Sequence, residues 1–182
     1  SYAGELGWEL HMPVWQLISI YESLMQFGQP LGLRDFGTRA FNSMRMEKMY
    51  RAYGAEFTEE ISALEAGMNR FLDLSRHFVG SENLLQRQTA GLSMQLAYLV
   101  FDDQIPAECF GNEAVFANGD HSGIITGGAY GYRVEKSLAF AYLKPQHCKA
   151  GQALTVETSV GTRRCHVELD PAYNPNNSLL RS

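Results

Sequence analysis

The sequence predicts an α+β fold, with helical and extended segments mixed in its first half and an antiparallel sheet, closing as a sandwich or barrel, in its second. Two observations carry that reading. Apolar residues at helical spacing recur up to about residue 90, and beyond it short apolar runs alternate with turn signals at regular intervals. The change of character places a boundary near residues 80–90.

Residues 6–12, Leu-Gly-Trp-Glu-Leu-His-Met, alternate large apolar and polar positions. That period belongs to a half-buried strand, with Leu6, Trp8, Leu10 and Met12 on one face. Pro13 opens a helix carrying Val14, Leu17, Ile18, Tyr21, Leu24 and Met25, which Gly28 ends. Asp35 is the expected N-cap of a second helix that turns Ala40, Phe41 and Met44 inward and runs towards Lys48, before Tyr53-Gly54. Residues 62–69 are expected as a short helical piece and 70–74 as a strand. Ser81, Glu82 and Asn83 then open a helix that Gly91 closes. Strands are expected at 92–101, 114–117, 123–126, 137–143, 153–158 and 165–169, punctuated by Asn118-Gly119-Asp120, Lys144-Pro145 and Gly161. The tail Asn174-Pro175-Asn176-Asn177 is expected to fray.

A chain of 182 residues suffices for one ordinary domain or two small ones and excludes a large barrel enzyme. With 45% hydrophobic and 19% charged residues it has the apolar surface that disordered chains lack. The net charge of -5 removes a whole-domain positive field for nucleic acid, although a basic local pocket stays open. No run approaches the roughly 20 apolar residues that a membrane-spanning helix needs, and residues 96–101 fit a buried strand, so a soluble chain without a membrane partner is expected. Cys109, Cys148 and Cys165 are odd in number and far apart, which reads as three free thiols in a reducing compartment. The opening Ser-Tyr-Ala-Gly has neither an initiator Met nor the features of a signal peptide, and suggests a piece of something longer.

Chemistry is sparse on periodicity alone. His11, His77, His121, His147 and His166 form no pair at metal-ligand spacing, and Cys165 and His166 point apart on a strand, so no metal site is expected. Gly127-Gly128-Ala129-Tyr130-Gly131 lacks the Lys-Ser/Thr of a phosphate loop and reads as a bulge or turn. Glu59-Glu60 and Asp102-Asp103 read as solvated pairs. Arg45 and Glu47 read as a structural ion pair or a solvated face. Glu9, between Trp8 and Leu10, reads first as the exposed side of its strand.

The segment Tyr2-Ala3-Gly4-Glu5-Leu6-Gly7-Trp8-Glu9 is very similar to the Y-x-G-E-x-G-[FWY]-E signature of the glycine-cleavage T-protein (aminomethyltransferase) family. The resemblance continues in register through residues 32–35, 40–48, 53–54, 64–67, 76–80, 125–131 and 137–143. The wording Met-Arg-Met-Glu-Lys-Met-Tyr-Arg-Ala-Tyr-Gly resembles most the folate-dependent carboxy-terminal region of the dimethylglycine and sarcosine dehydrogenases.

The resemblance implies that residues 1–85 are the carboxy-terminal part of a folate-binding α/β core and residues 86–182 a carboxy-terminal antiparallel β-barrel. It implies tetrahydrofolate as the cofactor, with Tyr2 and Glu9 at the pterin ring. A carboxylate can accept two parallel hydrogen bonds from the ring N–H and the exocyclic amine, and this reverses the first reading of Glu9. The folate-linked arginine of the family's A-R-D-S-L-R pattern aligns with Phe41, and Arg45 matches the later arginine, so that contact is not carried over. The family's essential aspartate belongs upstream of Tyr2, so no catalytic residue is assigned and the isolated chain is expected to be inactive.

By the same resemblance the partners are folate and the upstream portion of the same polypeptide, where any FAD would lie, with self-association open to the isolated piece. The expected compartment is the mitochondrial matrix in a eukaryote or the cytoplasm of a bacterium. Two other members of the family compete with the dehydrogenase type. One is a free-standing aminomethyltransferase. The other is a noncatalytic folate-binding branch, disfavoured because His77 stands where its K-G-C-Y-x-G-Q-E hallmark has cysteine.

Overall fold

The computed structural model describes residues 1–179. The first helix, α1 (Leu17–Gly28), is preceded by a 3-10 turn (Val14–Gln16) and followed by another (Gln29–Leu31) that ends at Gly32. Helices α2 (Thr38–Glu47) and α3 (Ser81–Ala90) follow, and Gly91 closes α3 as expected. Six strands come after them: β1 (Gln95–Phe101), β2 (Ala114–Ala117), β3 (Asp120–Gly131), β4 (Lys136–Leu143), β5 (Ala153–Thr158) and β6 (Gly161–Glu168).

The strands close into an antiparallel barrel in the order β1-β4-β3-β2-β5-β6, with β6 returning to β1. Closure removes the unpaired edges that an open sheet would carry. Leu99, Phe101, Val115, Ile125, Ala141, Leu143, Val156 and Val167 are among the side chains that fill its interior. On β1 and β4 the alternate residues, Leu96, Tyr98, Val100, Leu138, Phe140 and Tyr142, form a second core outside the barrel, against Met46 of α2. Both faces of these two strands are therefore buried, which explains their unbroken apolar runs. The glycine-rich stretch lies inside β3, where the register slips between Ile125 and Gly127, and is the expected bulge.

The first half departs from expectation in several places. Residues 7–13 have no regular secondary structure and form no strand, because no neighbouring segment among the described residues pairs with them. Leu6, Trp8 and Leu10 stand exposed. Residues 63–67 form turns rather than the helical piece expected over 62–69, and the expected strand at 70–74 is replaced by a 3-10 turn (Asn69–Phe71). Gly37, not Asp35, occupies the N-cap of α2; Asp35 instead accepts a hydrogen bond from the Tyr21 hydroxyl at 2.9 Å.

Helix α2 buries Ser43, Arg45, Met46 and Glu47 rather than Ala40, Phe41 and Met44. Arg45 and Glu47 are neither paired with each other nor solvated. Glu47 accepts the backbone N–H of Arg133 at 2.7 Å and of Val134 at 3.3 Å, tying α2 to the turn between β3 and β4.

Two more corrections concern the polar residues of the second half. Asp103 is not a free solvated carboxylate: it receives Arg163 through both oxygens, at 2.6 and 3.1 Å, while Asp102 receives His166 at 2.7 Å. The segment 174–177 is tied back rather than frayed. Tyr173 N–H donates to the Glu47 carbonyl, Lys48 Nζ to the Asn174 carbonyl, and Ser178 caps back onto Asn174 Oδ1. Asn174 and Asn177 both take left-handed backbone angles, which asparagine tolerates in turns. All three cysteines are free thiols.

Candidate functional site

A cleft of about 400 Å³ opens where the loop after α2 meets the segment that leaves the barrel. Tyr2, Tyr50, Phe57 and Phe71 supply aromatic faces, and Met49 and Met68 supply adaptable apolar surface. Lys48, Arg51 and Arg70 supply charge. Leu169, Asp170, Pro171, Pro175 and Asn177 form the wall contributed by the tail. A depression of about 410 Å³ on α3 is lined by Leu85, Gln86, Thr89 and Ala90 and carries no charge, so the first cleft is the better ligand site.

The cleft is built on a buried ion pair. Arg45 Nη1 lies 2.8 Å from Glu56 Oε2, with side-chain exposures of 6% and 0%. The same Arg45 nitrogen holds the Tyr50 carbonyl at 2.9 Å, and Nε holds Asn42 Oδ1 at 2.8 Å. Glu56 also accepts from the Ala52 N–H at 2.7 Å and from the Thr126 hydroxyl of β3 at 2.9 Å. These bonds satisfy both charges and fix residues 49–57, which carry four of the lining side chains, against the barrel. Tyr142 of β4 adds a bond from its hydroxyl to the Glu56 carbonyl at 2.7 Å, and burial pushes that hydroxyl's pKa up.

Tyr2 is brought into the cleft. Its ring stacks on Tyr50 with centroids 6.1 Å apart and meets Phe41 at 5.4 Å, while its hydroxyl donates to the Arg51 carbonyl. Burial raises its pKa. Gly4 makes this approach feasible: it has φ of 76°, and a Cβ there would stand 2.2 Å from Lys48 Cγ. Lys48 is itself buried at 2% exposure, and desolvation lowers its pKa.

Glu9 is not brought to the cleft. Its carboxylate is 88% exposed and lies 3.6 Å from the equally exposed His11. Arg51, Arg70 and Glu56 were not singled out in the sequence. Arg51 lies in a loop and Arg70 in the 3-10 turn Asn69–Phe71, neither with a periodicity that marks it, and Glu56 became legible only through its partners.

These features make a cleft between the loops after α2 and the segment that leaves the closed β-barrel. Residues 1–76 match the GCVT N-terminal domain, and residues 95–174 match the glycine cleavage T-protein C-terminal barrel domain. The chain belongs to the glycine cleavage T-protein family.

It is 42% identical over 160 residues to the mouse mitochondrial dimethylglycine dehydrogenase, covering 86% of this chain and 18% of that protein. It is 36% identical over 191 residues to the human mitochondrial sarcosine dehydrogenase, covering 100% and 20%. An aminomethyltransferase of Desulforamulus reducens is 30% identical over 175 residues, covering 95% and 47%. The crystal structure of the glycine cleavage system aminomethyltransferase T from Bartonella henselae has the same fold, with a TM-score of 0.79 at 18% identity over 90% of this chain and 45% of that one. The chain thus spans about a fifth of the dehydrogenases' length and just under half of the aminomethyltransferase's. Among the described residues no helix is long and apolar enough to cross a membrane.

Proposed function

We propose that this chain is part of the tetrahydrofolate-binding region of a dimethylglycine/sarcosine dehydrogenase-type protein, which passes a one-carbon unit from an N-methyl amine to tetrahydrofolate. The observation that carries the proposal is Tyr2: the signature tyrosine stands in a cleft that combines stacking rings with cations. A reduced folate is a flat pterin joined to a benzoyl ring and a carboxylate tail. Four aromatic side chains and three cations fit that chemistry, and Asn177 Oδ1 is buried there without a hydrogen-bond partner among the described residues.

Tetrahydrofolate supplies the nucleophilic nitrogens that take up the one-carbon unit. The residues of this chain bind and orient: Tyr2 and Tyr50 offer stacking faces, and the Arg45–Glu56 pair holds the loop that carries them. In the division proposed here, residues 1–85 close the folate-binding core and residues 86–182 form the barrel domain. Proton handling and any flavin chemistry belong to the upstream portion of the same polypeptide. A partner there is supported by the apolar surface of α1 and its approach, where Val14, Trp15 and Ile18 are 78, 80 and 70% exposed. In this proposal the upstream portion also covers residues 7–13 and turns Glu9 onto the pterin edge. The mitochondrial relatives support a matrix location for a eukaryotic source.

Titration of the intact parent protein with a reduced folate tests the assignment. Glu9→Ala should weaken binding about tenfold to a hundredfold, the range for hydrogen bonds to a charged group. Unchanged binding rejects the role of Glu9.

A further inference from the structure

The bulge in β3 sets one residue apart from the barrel's ladder. Ile125 pairs with Ala141 and Gly127 with Phe140, so Thr126 is the extra residue, without a partner on β4. A bulge of this kind re-aims the side chain it carries. The Thr126 hydroxyl stands 2.9 Å from Glu56 Oε1 and 3.3 Å from the Phe140 carbonyl. A hydroxyl has a single proton to give, and the shorter contact, to a carboxylate, takes it.

The two oxygens of Glu56 are held from different sides. Oε2 accepts from Arg45 Nη1 at 2.8 Å and from the Ala52 N–H at 2.7 Å. Oε1 has, among the described residues, the Thr126 hydroxyl as its only donor, on a side chain that is 0% exposed. Without that hydroxyl a buried carboxylate oxygen is left bare, and the carboxylate has to turn to find another donor. Turning carries Oε2 with it, and so disturbs the Ala52 N–H and the Arg45 guanidinium that holds the Tyr50 carbonyl. Tyr50 is the ring on which Tyr2 stacks.

We propose that Thr126 is a positioning residue for the cleft: the bulge aims its hydroxyl at Glu56, so that the barrel sets the place of residues 49–57 and with them of the Tyr2–Tyr50 stack. The consequence for ligand binding rests on the folate reading above; the consequence for the loop does not. The barrel is then part of the binding apparatus, although none of its strand residues lines the cleft.

The test compares three variants of the intact parent protein. Thr126→Val keeps the shape and removes the hydroxyl, and Thr126→Ser keeps the hydroxyl. Val156→Ala opens a cavity in the barrel interior and controls for general loosening. Hydrogen exchange of the 49–57 amides, read by mass spectrometry, should quicken at least about tenfold in Thr126→Val and stay within about twofold of the wild type in the other two. Titration with tetrahydrofolate, well below the unfolding temperature of every variant, should show about tenfold weaker binding in Thr126→Val alone. Unchanged exchange in Thr126→Val, equal quickening in Val156→Ala, or failure of Thr126→Ser to keep the wild-type rate overturns the proposal. So does quickened exchange with tetrahydrofolate binding unchanged. If the wild type binds no tetrahydrofolate, the folate reading falls, and the exchange rates alone decide the role of Thr126.

Discussion

The guanidinium of Arg45 and the carboxylate of Glu56 meet at 2.8 Å in a place that solvent scarcely reaches, eleven residues apart in sequence. Their bonds to Tyr50, Ala52 and Thr126 make the pair the anchor of the loop that carries Tyr50, Arg51 and Phe57. Glu56→Gln keeps the shape and removes the charge, leaving Arg45 buried without a counter-ion. Denaturant unfolding should show a loss of about 3–5 kcal/mol. Combining it with Arg45→Met should cost clearly less than the two single losses added together, and strict additivity would refute the coupling.

Backbone approach sets a second expectation. A Cβ built on Gly123 would stand 1.9 Å from the Tyr142 carbonyl oxygen, across the β3–β4 ladder. Gly123→Ala should therefore cost about 3 kcal/mol, at the upper end for overpacking, because backbone cannot swing aside. Gly151→Ala meets open space at a φ of 72° and should cost about 1–2 kcal/mol. Comparison of their thermal unfolding decides whether closeness or backbone angle dominates.

The reach of Arg163 to Asp103 makes stability depend on acid. Hydrogen bonding to Arg163 holds the Asp103 carboxyl below its ordinary value. The folded pKa is depressed, so the stabilisation is present above the unfolded pKa of about 3.9 and disappears as pH falls through the folded value. Asp103→Asn should lower stability by about 1–2 kcal/mol at pH 7, discounted for a carboxylate one-third exposed. Urea midpoints should begin to converge with the wild type as pH falls below about 3.9 and meet only below the depressed folded value.

Thiol chemistry should be quiet in the folded state. Burial pushes Cys109 and Cys165 up to about 12 and Cys148 up to about 11. Since the thiolate is the reactive form, a disulfide reagent at pH 7.5 should label none of the three within minutes. All three should react in denaturant. Rapid native labelling would show that the barrel opens.

The barrel was legible because its strands are short, apolar and separated by Asn118-Gly119, Lys144-Pro145 and Gly161, so local pattern and global closure agree. Residues 6–12 were misread for the converse reason: their alternation is that of a strand, but strand formation needs a neighbour as well as a period. The buried face of α2 was misread because apolar periodicity does not register polar groups whose partners, Glu56 and the Arg133 N–H, lie far off in sequence. The same limit hid Arg51 and Arg70. Of the cleft, periodicity alone revealed nothing; Tyr2 was found through the signature it sits in.

The bonds from Tyr173 and Asn174 back to Glu47 and Lys48 join the last described stretch of the chain to its first third. A ribosome delivers Tyr2 and Arg51 long before Pro175 and Asn177, yet all four border one cavity. The cavity of the nascent protein thus lacks one wall until Pro175 and Asn177 have emerged, so its completion is timed by the later part of this region and not by the residues that open it.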